Sequence, residues 1–130
     1  NNSTIKRKMI KKQKKINFDE LAPSIKKRAK LLISEIPKNW IIKVWTENSL
    51  YEIRLVNPVQ SVVSVTGGHF DRKGNSPLST TIAGSTFGGT SVVMNTIVEG
   101  LFLEFGNHVT TSRIKKFQII QPDGITGVQA

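Results

Sequence analysis

From Asn39 to Ile120 the apolar residues recur at every second position, whereas before Pro37 they recur every three or four. The change of period predicts one helix followed by a run of short strands. In residues 18–36 the positions Ile25, Ala29, Leu32, Ile33 and Ile36 form a stripe at i, i+4, i+7, i+8 and i+11. That spacing predicts an amphipathic helix over 18–37, capped by Asp19 or Ser24 and ended by Pro37. Beyond it, Trp40–Thr46 and Leu50–Val56 are rich in β-branched and aromatic residues and frame the short loop Glu47-Asn48-Ser49. They predict a hairpin in which Tyr51, Ile53 and Leu55 face one way and Glu52 and Arg54 the other.

The later strands are expected at Gln60–Thr66, Leu78–Ala83, Thr90–Val98, Gly100–Phe105, His108–Thr111 and Lys116–Ile120. Turn residues separate them: Asn57-Pro58, the Gly67–Pro77 hairpin tip and Gly106-Asn107. Ser112–Lys115 is expected to form a single helical turn before the last strand. Residues 121–130 read as a loose tail. Six to eight short strands at this spacing, in a body of 39–120, predict a mainly β fold. The expected architecture is a small antiparallel β-barrel, SH3-like or related, with one amphipathic helix and a basic N-terminal arm in front of it.

Charge sharpens that picture. The formal net charge is +10, and it is unevenly spread. Residues 1–38 carry twelve Lys and Arg against three acids, and residues 39–130 carry seven against six. The arm at 1–17 contains Lys6, Arg7, Lys8, Lys11, Lys12, Lys14 and Lys15, whose mutual repulsion favours disorder until an anionic partner arrives. Ile5, Met9 and Ile16 lie near one helical face, so the arm is expected to fold on binding. Lys26, Lys27, Arg28 and Lys30 continue the charge along the helix.

The sequence has no cysteine, which excludes disulfides and thiolate metal sites. No apolar run is long enough to span a bilayer, and the basic start lacks a signal-peptide core, so a cytoplasmic location is expected, or a nuclear one in a eukaryote. Three further motifs bear on chemistry. In IAGSTFGGTS (82–91), Gly84 and Gly89 have the spacing of a phosphate loop, but Thr90 stands where lysine is required and strand-like residues follow. The stretch is therefore expected to be a bend or bulge at Gly84, Gly88 and Gly89, with hydroxyls largely dispensable unless buried and Phe87 tucked beneath it. His69 and Asp71 share a face only if they lie in a strand, and a metal would need His108 and Asp123 as well. No G-x-S-x-G nucleophile elbow occurs, and the carboxylates are scattered singly, so neither an enzyme nor a cofactor is expected.

These features converge on a non-enzymatic module that binds nucleic acid through phosphates, RNA in preference to DNA. The arm and helix cations named above, with Lys43, Arg113, Lys115 and Lys116, are the expected contacts; Arg54, Arg72 and Lys73 add shape-selective ones. Trp40 and Trp45 have opposite parity, so one of them is left to seal the helix against the barrel or to offer a stacking surface beside Lys43. The rival expectation is an interaction or assembly module, viral or accessory, that docks on an acidic protein.

Overall fold

The computed structural model describes residues 23–89 and 91–122. The arm and the beginning of the expected helix lie outside them. Six antiparallel strands close a barrel: β2 (Ile41–Thr46), β3 (Leu50–Asn57), β4 (Val62–Gly67), β5 (Leu78–Thr86), β8 (Phe102–Phe105) and β9 (Thr110–Ile120). Their order is β4-β3-β2-β9-β8-β5, and β5 returns to pair with β4. The mainly β architecture and the closed antiparallel barrel are as the periodicity predicts.

Alternation places the core. In β2 and β3, Ile42, Val44, Tyr51, Ile53 and Leu55 are buried, whereas Glu52 and Arg54 are exposed. Val63, Val65, Ile82, Leu103, Phe105 and Ile114 complete the interior. Between β4 and β5 the expected hairpin tip folds into a short helix, α2 (Gly68–Arg72). It turns Phe70 into the core against Phe105, with ring centroids 5.2 Å apart and the planes at 83°. Such edge-to-face packing suits the ring quadrupoles.

A helix does precede the barrel, but it is only one turn long, α1 (Pro23–Lys26). The expected stripe is cut after Ile25. Lys30–Leu32 instead form strand β1, paired with β7 (Thr96–Val98) in the register Leu31↔Ile97. A 3-10 turn over Ile33–Glu35 follows. The physical reason is capping: the Lys30 ammonium donates to the carbonyls of Ile25, Lys26 and Arg28 at 3.2, 2.7 and 2.8 Å. Carbonyls left open at a helix C-terminus are satisfied in this way by a cation. Leu32, Ile33 and Ile36 remain buried, so the stripe marked the core correctly while the period misassigned the backbone.

Three further boundaries differ. The strand expected at 90–98 is broken by Asn95, which has a φ of 56°, into β6 (Val92–Met94) and β7. The strand expected from Gly100 begins at Phe102. Ser112–Lys115 are not a helical turn but the middle of the eleven-residue β9. That strand absorbs its irregularity as a bulge. Trp45 faces Lys116 and Thr46 faces Ile114, so Lys115 is an extra residue. A bulge breaks the alternation, and here Lys115 and Lys116 are both exposed.

Candidate nucleic-acid interface

The bulge sets the geometry of the outer surface. Lys116 lies over the Trp45 ring, its ammonium 4.6 Å from the centroid. Across the neighbouring strand pair, Phe102 of β8 faces Arg113 of β9 in register. The Arg113 guanidinium sits 4.6 Å from the Phe102 centroid. A strip of alternating cations and rings therefore crosses β8, β9 and β2. Cations over aromatic faces are attracted by the ring quadrupole, which also holds the long side chains in place. Trp40 packs against the core cluster, and the tryptophan left outside it is Trp45. The partner of Trp45 is Lys116, not Lys43, which pairs with Glu52 at 3.6 Å.

A second part of the surface lies around the turn between β7 and β8. Arg28 donates from Nη1 to the Glu99 carbonyl at 3.3 Å. Arg113 donates from Nη1 to the Gly100 carbonyl at 3.0 Å. Gly100 has a φ of 91°, and a Cβ there would collide with the Arg28 guanidinium. Phe87 is 51% exposed, with its ring centroid 6.0 Å from the Arg28 guanidinium carbon. The expectation that Phe87 is tucked beneath the glycine stretch is thus corrected. The bend at Gly84 is real: β5 shifts register against β8 between Ile82 and Gly84, and Gly84 has a φ of 145°. A Cβ on Gly84 would strike the Val93 carbonyl of β6, so the strand turns its corner where it has no side chain. Beyond it the tip carrying Phe87 points to solvent. The chain then continues into β6, not into a helix that could present amides to a phosphate.

The expected site residues separate into groups. Arg28, Arg113, Lys115 and Lys116 border this surface. Lys26, the last residue of α1, and Lys27, just beyond it, are exposed. Lys30 is engaged with backbone carbonyls. Lys43 and Arg54 lie on the outer side of β2 and β3, and Arg72 donates to Ser49 Oγ at 3.3 Å beside the hairpin loop. Lys6, Arg7, Lys8, Lys11, Lys12, Lys14 and Lys15 lie outside the described residues. Phe87 and Phe102 were missed as surface aromatics. Phe102 was legible, because Leu103 and Phe105 claim the inward parity of that strand.

His69 and Asp71 lie in α2, so the shared strand face that a metal pair required does not exist. Asp71 instead accepts from the Gly67 amide at 3.0 Å. The nearby Ser76 hydroxyl and that amide hold its carboxyl below the usual range, although only the amide is in hydrogen-bond contact, since Ser76 Oγ has no hydrogen-bond partner among the described residues. Among the described residues no three His, Asp or Glu side chains converge as metal ligands. No helix among them is long and apolar enough to cross a membrane.

Fold and surface together define a small closed antiparallel β-barrel with a cation–aromatic strip on its outside. No protein family, curated protein or solved structure matches the chain.

Proposed function

We propose that the protein is a non-enzymatic nucleic-acid-binding module, with RNA the favoured ligand, that grips phosphates through its cationic arm and through the β8–β9–β2 strip. The observation that carries this reading is the bulge in β9. It displays Lys115 and Lys116 side by side, with Lys116 on Trp45, two residues along β9 from Arg113 on Phe102. Cations interleaved with aromatic faces are what a charged, base-bearing polymer requires. Lys43 pairs with Glu52, whereas Arg113, Lys115 and Lys116 form no ion pair with a carboxylate among the described residues.

The test is binding of labelled oligonucleotides as salt is varied. With about five phosphates neutralised, log K falls against log[salt] with a slope of roughly −4 on duplex. A Lys115→Glu/Lys116→Glu variant weakens binding and flattens the slope by about 2. Absence of binding to any RNA or DNA at low salt, with saturable binding to polyglutamate instead, overturns the reading in favour of an acidic protein partner.

A further inference from the structure

The Glu99–Gly100 turn collects two guanidiniums and two rings on one small patch. Arg28 and Arg113 each donate to a carbonyl of this turn, and neither forms an ion pair with a carboxylate. Each keeps donors beyond the one it uses, since a guanidinium carries five N–H groups. The Nε–H of Arg28 is buried and finds no acceptor. The absence of a side chain at Gly100 lets the Arg28 guanidinium lie directly on the backbone. On either side stand Phe87 against Arg28 and Phe102 against Arg113. The tip that carries Phe87 runs beside the second ring: a Cβ on Gly88 would be 3.4 Å from the Phe102 ring.

We propose that this turn is a seat for single-stranded nucleic acid, with one backbone phosphate held between Arg28 and Arg113 and an adjoining base stacked on Phe87. The inference rests on the nucleic-acid reading above and narrows it to unpaired strands. Guanidinium forks match phosphate oxygens geometrically, and a pair of them across one turn defines a position rather than a diffuse field. An exposed phenylalanine on a glycine-bordered tip gains nothing from a duplex, whose bases are stacked on each other. It gains contact area from a splayed base, because every base has a π face. The patch differs from the Lys115–Lys116 bulge, which supplies charge without this arrangement of rings and forks.

The experiment uses the full chain and fluorescence anisotropy with a labelled twelve-nucleotide oligouridine and a duplex of the same length. The wild type should bind the single strand more tightly than the duplex. Phe87→Ala should weaken single-strand binding about tenfold and leave duplex binding unchanged, because only the stacked base is lost. Arg113→Lys keeps the charge and the salt slope yet should lower single-strand affinity severalfold, through loss of the fork. Thermal melts of both variants, expected within a few degrees of wild type, separate a binding loss from misfolding. Wild-type binding to the single strand that neither substitution alters overturns the seat and leaves the nucleic-acid reading standing. Preference for duplex does the same. Failure of the wild type to bind either ligand overturns both.

Discussion

Arg28 occupies the space that a side chain on Gly100 would fill. The two residues are 72 positions apart in the chain, and the N-terminal segment is fastened to the β7–β8 turn through this contact. Gly100→Ala should cost about 1–3 kcal/mol, because a non-glycine residue is strained at this φ and the guanidinium must also move. Placed in an Arg28→Ala background, the same change should cost less by about 0.5 kcal/mol or more, leaving only the backbone strain. Urea unfolding of the four proteins measures the difference. Strict additivity would show that the guanidinium is not held against Gly100 in solution.

Ser85 is a buried exception among the hydroxyls of the glycine stretch. Its Oγ is fully buried, donates to the Thr96 carbonyl at 2.7 Å and accepts from the Val98 amide at 3.0 Å. Ser85→Ala strips partners from two backbone groups in the core and should cost about 1–3 kcal/mol. The exposed Ser79 is the control, and Ser79→Ala should stay within about 0.5 kcal/mol. Equal effects at the two sites would mean that water replaces the Ser85 bridge.

Phe70 is the largest contribution of α2 to the core, packed against both Tyr51 and Phe105. Phe70→Ala should destabilise by about 3–5 kcal/mol, enough to leave a domain of this size marginal. Calorimetry should find a lower Tm with the two-state transition retained. A change of under about 1 kcal/mol would show that α2 does not pack as described.

Acid should loosen the same corner. The Asp71 carboxyl is held below its usual range by the Ser76 hydroxyl and the Gly67 amide. A carboxylate with a depressed folded-state pKa stabilises fully above its unfolded value, and that contribution fades as pH falls through the folded value. Asp71→Asn should therefore lie below wild type in stability at neutral pH and converge with it in strong acid. Parallel stability curves down to the most acidic pH would rule out the link.

What the sequence disclosed follows from what was local. Alternation in Leu50–Asn57 shows on its face which residues enter the core, and the bend at Gly84 was legible because glycine and kink coincide. The helix was over-extended for a different reason. Residues 30–36 satisfy a helical stripe and a strand equally well, and the choice was made by a partner strand more than sixty residues away. The cation–aromatic strip was hidden for the same reason. The pairs Arg113–Phe102 and Lys116–Trp45 depend on cross-strand register and on a one-residue bulge, neither of which leaves a mark in a single segment. Lys30 shows the reverse limit: a lysine counted as solvent-facing charge is spent on closing a helix.

The pairing of β2 with β9 along its whole length gives the barrel a fixed timetable. Strands β2, β3, β4 and β5 zip together as neighbours in the chain as each is made. β2, however, keeps one bare edge until Lys116–Ile120 has left the ribosome. During that interval Ile42 and Val44 are shielded from one side only, and an unpaired strand edge is an invitation to other chains. A nascent chain that has emerged only as far as Thr110 should be retained by chaperones or aggregate, whereas one that has emerged past Ile120 can close. The last described strand thus acts as the clasp of the barrel, and a late truncation should do more damage than its few residues suggest.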